Sequence, residues 1–116
     1  MANTSSGELL RISREFTDDG VLVRVAGDLD MATAGKLAEE LRIARELGAA
    51  SAPLIVLLDE VDFLGSAGLA VLVHESNGLR IVASSRLVLH SIAATGLAEV
   101  LPVFPTVEDA LARTAA

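Results

Sequence analysis

At 116 residues the chain has the length of one domain, and with 52% hydrophobic but only 3% aromatic residues its core is predicted to be built from Leu, Val, Ile and Ala. A net charge of −7 would repel a phosphate backbone, which argues against a nucleic-acid partner. The absence of cysteine excludes disulfides, thiolate metal sites and cysteine nucleophiles, and no apolar stretch approaches the roughly 20 residues that cross a bilayer.

Residues 1–7, Met-Ala-Asn-Thr-Ser-Ser-Gly, lack the basic start and apolar run of a secretion signal, and read as a flexible leader on a soluble, cytoplasmic protein with no membrane partner. Val21, Val23 and Val25 then alternate with Leu22, Arg24 and Ala26, the period of a strand. Asp18-Asp19-Gly20 supplies a turn, across which the stretch from Leu9 to Phe16 is predicted to pair back as an antiparallel hairpin.

After Gly27-Asp28-Leu29-Asp30 the period lengthens. Leu37, Leu41 and Ala44, with Ala34, Ala38 and Leu47 widening their face, predict an amphipathic helix capped by Asp30 or Thr33 and closed by Gly48. Past the Ser51-Ala52-Pro53 break, Leu54 to Leu58 is a continuous apolar run suited to a buried central strand. It leads through Asp59 to Gly65 into Ser66, where Leu69, Leu72 and Val73 suggest a short helix that Asn77-Gly78 ends in a turn.

Leu79 to Ala83 reads as a strand, and Ser84-Ser85 as the start of a helix that sends Leu89, Ile92 and Ala93 to the core before Thr95-Gly96 ends it. Val100 to Phe104 is interrupted by Pro102, so it is expected at a sheet edge or in a loop. Thr106-Val107-Glu108-Asp109 resembles a capping box and opens a last helix through Leu111. The order implies a single α/β domain over residues 8–112, followed by a tail at 113–116, with a mixed four- to five-stranded sheet and about four helices.

Gly65-Ser66-Ala67-Gly68 follows the most buried strand and opens a helix, the edge of an open α/β sheet where ligands and modifications gather. A helix N-terminus offers free N–H groups and positive potential, so an anion on Ser66 would be received favourably. Ser66 can equally be a plain N-cap, with Gly65 and Gly68 permitting a tight turn and close packing.

A longer match bears on the choice. Val61-Asp62-Phe63-Leu64-Gly65-Ser66-Ala67-Gly68-Leu69-Ala70-Val71-Leu72 resembles the signature loop and helix of bacterial STAS-domain anti-sigma factor antagonists. Gly27-Asp28-Leu29-Asp30 is similar to that family's second signature, and Ala94-Thr95-Gly96-Leu97 with Phe104 to Leu111 to its C-terminal part. The resemblance implies a STAS-like fold and a non-enzymatic regulator of sigma-factor-dependent transcription. Its partners would be an anti-sigma factor, itself a histidine-kinase-like serine kinase, and a metal-dependent serine phosphatase. Ser66 would be the phosphate acceptor, and Asp30, Gly65, Ser66, Ala67 and Gly68 the partner-binding residues, with Asp30 also open to reading as a helix cap. The chain departs from the family pattern at Gly65, where many relatives have Asp, and at Ala67, where several carry a hydroxyl. The stretch from Leu69 to Leu79 is also shorter than in the family.

Other chemistries fit less well. The Gly-x-Ser-x-Gly elbow of hydrolases would need Gly where Leu64 stands, and His74 and His90 read as helix-surface or capping residues. Asp59, Glu60 and Asp62 have no His or Cys near them and read as a solvated loop, so no metal or cofactor is expected. The runner-up is a STAS module that scaffolds a transporter or stress-signalling assembly without phosphorylation. Either way, Ser66 is predicted to be exposed at a helix start, with Asp30 near it on the same sheet edge.

Overall fold

The computed structural model describes residues 10–48 and 52–112. The leader at 1–7, the tail at 113–116 and Ser51 of the expected break lie outside these described residues. β1 (Leu10–Thr17) and β2 (Gly20–Leu29) form the antiparallel hairpin, with Thr17 paired to Gly20 and Asp18–Asp19 as the turn. Thr17 Oγ1 holds that turn by accepting the N–H groups of Asp19 at 3.2 Å and Gly20 at 3.1 Å. The chain continues through α1 (Ala34–Leu47), β3 (Leu54–Leu64), α2 (Ser66–His74), β4 (Leu79–Val82) and α3 (Arg86–Ala94). A 3₁₀ turn (Leu97–Glu99), β5 (Val103–Phe104) and α4 (Val107–Ala112) complete it.

The five strands lie in the order β1-β2-β3-β4-β5, antiparallel at the hairpin and parallel thereafter. Three successive crossovers therefore step in one direction across the sheet. Crossovers of the same right hand must then place their helices on the same face. The packing agrees: Leu37 and Leu41 of α1, Leu69 and Leu72 of α2, and Val88 and Ile92 of α3 join one core cluster with Val23, Val25, Val56, Leu58 and Ile81. A smaller cluster on the opposite face sets Ala110, Val107 and Leu111 of α4 against Leu22, Ile55 and Val82.

β3 runs well beyond the apolar run that announces it. Between Leu57 and Glu60 it takes three steps while β2 takes two from Arg24 to Ala26, and between Val61 and Phe63 two steps while β2 takes one. Each is a bulge, an extra residue that resets which side chains face inward. The inward residues accordingly change from Leu54, Val56 and Leu58 to Val61 and Leu64. Asp59, Glu60 and Asp62, expected in a solvated loop, are exposed but belong to this strand.

Two core expectations need correction. Leu47 is 64% exposed. At about 100° per residue it falls roughly 80° away from Leu37 around α1, beyond the stripe of Ala34, Leu37, Leu41 and Ala44 that is buried. On α3, Leu89 and Ala93 face solvent, and Val88 with Ile92 makes the buried pair. Both sets have helical spacing, so periodicity could not choose between them; packing on the sheet does. Pro102 leaves β5 two residues long at the sheet edge, as its missing N–H requires. Among the described residues no helix is long and apolar enough to cross a membrane.

Candidate functional site

The site follows from the parallel pairing of β2 and β3. Leu29 and Leu64 are partners in register, so the residues that leave these strands, Asp30 and Gly65, emerge on one sheet edge. The Gly65 N–H donates to the Leu29 carbonyl at 2.9 Å, and the Gly65 carbonyl accepts the first helical bond of α2 from Leu69 N–H at 3.0 Å.

Ser66 is exposed and is the first residue of α2. The N-cap is Gly65, and no side chain caps this helix, so the plain N-cap reading of Ser66 does not describe it. Its hydroxyl is thus left available at an end where the N–H groups of Ser66, Ala67 and Gly68 lack helical acceptors. Gly68 is buried because α2 lies close against the end of β2. A Cβ there would stand 2.9 Å from Leu29 Cβ and 3.1 Å from Leu64 Cδ1. Gly68 thus sets the depth of the helix, while half-buried Ala67 offers no second hydroxyl beside Ser66.

Asp30 organises the neighbouring loop. Its Oδ1 accepts the N–H of Ala32 at 2.9 Å and of Thr33 at 3.2 Å, which closes the turn leading into α1. Thr33, the N-cap residue by backbone position, is buried and turned inward: its Oγ1 donates to the Asp28 carbonyl at 2.7 Å and accepts the Asp30 N–H at 3.0 Å. Neither Asp30 nor Thr33 caps α1 through its side chain: Asp30 closes the turn that precedes the helix, on the same sheet edge as Ser66.

Two apolar residues on this edge escaped the sequence reading. Phe63 is 52% exposed and Met31 is 83% exposed. The bulge at Asp62 breaks the alternation that would have assigned Phe63 a direction. Ser66 also opens a groove of about 520 Å³, walled by Leu69, Ala70, Val73 and His74 of α2 and by Thr95 and Leu97.

The other chemistries do not assemble. His74 lies eight residues along α2 from Ser66, about 12 Å at the helical rise, beyond hydrogen-bond reach, and His90 is exposed on α3. Asp59 is bound to the loop before α3 instead of sharing a metal site, accepting the N–H of Ser84 at 2.6 Å and of Ser85 at 3.1 Å, while Ser85 itself caps the helix by accepting the Val88 N–H. Among the described residues no group of three His, Cys, Asp or Glu could hold a metal ion.

A model of the STAS domain family matches residues 11–110, which takes in both loops and all five strands bar the first residue of β1. The chain belongs to the STAS domain family. This STAS domain is 32% identical over 118 residues to the anti-sigma-F factor antagonist RsfA of Mycobacterium tuberculosis, covering 96% of this chain and 92% of RsfA. It resembles the crystal structure of an anti-sigma factor antagonist from Mycobacterium paratuberculosis at a TM-score of 0.80 and 31% identity, covering 92% of this chain and 95% of the other. The anti-sigma factor antagonist SpoIIAA in its unphosphorylated form shares the fold at a TM-score of 0.69 and 19% identity, over 90% of this chain and 96% of SpoIIAA.

Proposed function

We propose that this STAS domain is an anti-sigma factor antagonist: unphosphorylated, it binds an anti-sigma factor of the histidine-kinase-like serine kinase type, and phosphorylation of Ser66 releases it. The observation that carries the reading is the placement of Ser66, exposed as the first residue of α2 beside the Asp30 loop and free of a capping role. The 32% identity to a protein named as an anti-sigma-F factor antagonist supports the same class of partner. The function is binding in the cytoplasm, not catalysis by this chain, and the consequence is control of sigma-factor-dependent transcription.

In the transfer itself the Ser66 hydroxyl loses its proton and its oxygen bonds to the γ-phosphorus of ATP, while the bond to the β-phosphate breaks and ADP leaves. The new group adds about −1.5 to −2 charge. N–H groups at the start of α2 accept part of it locally. Acidic groups of the partner oppose it across the interface, and it adds to the negative charge that Asp30 and Asp62 already give this edge, so a small local change produces a large loss of affinity. A metal-dependent serine phosphatase hydrolyses the ester and restores the binding form. Asp30, Gly65, Ser66, Ala67 and Gly68 make the partner-binding edge.

The test is incubation with ATP and each anti-sigma kinase of the source organism, followed by intact-mass measurement and peptide mapping. One phosphate on Ser66, with loss of binding in calorimetry, is the expected result. Binding that survives full phosphorylation, or no phosphorylation by any such kinase, would replace this reading with a phosphorylation-independent STAS scaffold.

A further inference from the structure

We propose that Phe63 is the aromatic anchor by which this domain grips its anti-sigma factor, with the ring seated over Gly65, beside the Ser66 switch, and entering an apolar socket on the partner. The inference rests on the functional reading above and names what the partner recognises at that site.

Gly65 has φ −96° and ψ −177°, an extended conformation open to any residue, so the backbone does not require glycine here. Space does. A Cβ at this position would lie 2.9 Å from Phe63 Cε2 and 3.2 Å from Phe63 Cζ. The ring lies over Gly65, in the volume that a side chain at position 65 would need, one residue from Ser66.

That ring is not core. Phe63 is 52% exposed and belongs to neither hydrophobic cluster. The chain has three phenylalanines and no Tyr or Trp. Phe104 packs against the α4 cluster, and Phe16 lies near the hairpin turn, at the opposite end of β2 from Asp30. Phe63 is thus the aromatic residue presented on the Ser66 edge, and the bulge at Asp62 is what leaves two consecutive residues of β3 facing outward there. Exposed Met31 follows Asp30 on the same edge.

An exposed ring continuous with a switch residue has the properties of an interface anchor: a large contact area at the cost of only two side-chain torsions. Its chemistry specifies the partner surface. An apolar ring is received by an apolar socket on the partner. It also accounts for the size of the switch, because phosphate on Ser66 would bring nearly two charges to the rim of a contact from which water is expelled.

Calorimetry against each purified anti-sigma factor of the source organism tests this. Wild type and Ser66→Ala are expected to bind equally, Ser66→Asp more weakly, and Phe63→Ala about tenfold or more weakly with an unchanged melting curve. Phe63→Leu, which keeps apolar bulk without the ring, should fall between wild type and Phe63→Ala and guards against a folding defect. Gly65→Ala, which unseats the ring, should weaken binding severalfold in the wild-type background and add little in the Phe63→Ala background. If Phe63→Ala binds within twofold of wild type while Ser66→Asp loses affinity, the functional reading stands and the anchor is overturned. If binding ignores Ser66 altogether, or no anti-sigma factor binds, the functional reading fails and the anchor falls with it. If Phe63→Ala instead abolishes self-association in sedimentation and leaves anti-sigma binding intact, the ring serves a second copy of this chain and the proposal is wrong.

Discussion

The N–H of Gly65 donates to the carbonyl oxygen of Leu29 at 2.9 Å, the last rung between two parallel strands. The bond joins the residue before Ser66 to the residue before Asp30. The switch loop and the acidic loop are consequently two ends of one registered strand pair, and a change in the depth of α2 is felt at both.

Gly68→Ala tests that depth. The added methyl meets Leu29 Cβ and Leu64 Cδ1, and both neighbours are buried. Overpacking of this kind is expected to cost about 1–3 kcal/mol, read as a lower midpoint in urea denaturation. The same variant should weaken partner binding, because it lifts the helix that begins with Ser66.

Ser66→Ala, by contrast, should leave stability within about 0.5 kcal/mol of wild type. The hydroxyl caps nothing in this fold. The variant should keep its affinity for the anti-sigma factor and take up no phosphate in intact-mass measurement, whereas Ser66→Asp, with one charge in place of nearly two, should show a partial loss of affinity.

Thr33→Val removes a buried hydroxyl that serves the Asp28 carbonyl and the Asp30 N–H together. Leaving those groups unpaired is expected to cost about 1–3 kcal/mol in chemical denaturation, and Thr33→Ser should recover most of it. Because the Asp30 loop is then looser, phosphorylation of Ser66 by its kinase should also slow relative to wild type.

Asp59→Ala removes the carboxylate that receives the N–H groups of Ser84 and Ser85 at the start of α3. A loss of about 1–3 kcal/mol is expected, as for removing a charged acceptor shared by two backbone N–H groups. Glu60→Ala, one residue along on the same exposed stretch, should stay within about 0.5 kcal/mol, and the contrast would be read from paired urea melts.

Much of this molecule was written locally. The alternation of Val21, Val23 and Val25, the Asp18-Asp19 turn, the Leu37-Leu41-Ala44 stripe and the Thr106 and Ser85 starts all became the expected elements, because each is governed by contacts within a few residues. The loop pattern around Ser66 and Asp30 was legible for the same reason, as was the family it resembles. What tertiary packing decided lies where local periodicity is ambiguous or broken. Val88 displaced Leu89 from the core because the sheet selected between two faces of equal helical spacing. The acidic stretch from Asp59 to Asp62 joined β3 because neighbouring β2 supplied the pairing, with two bulges absorbing the mismatch. Those bulges also turned Phe63 outward over Gly65, a contact visible only once the ring and the glycine are placed together in space. Composition and spacing establish which elements form, since these depend on short-range sterics and hydrogen bonding; the direction of a side chain on a bulged strand depends on its neighbours across the sheet.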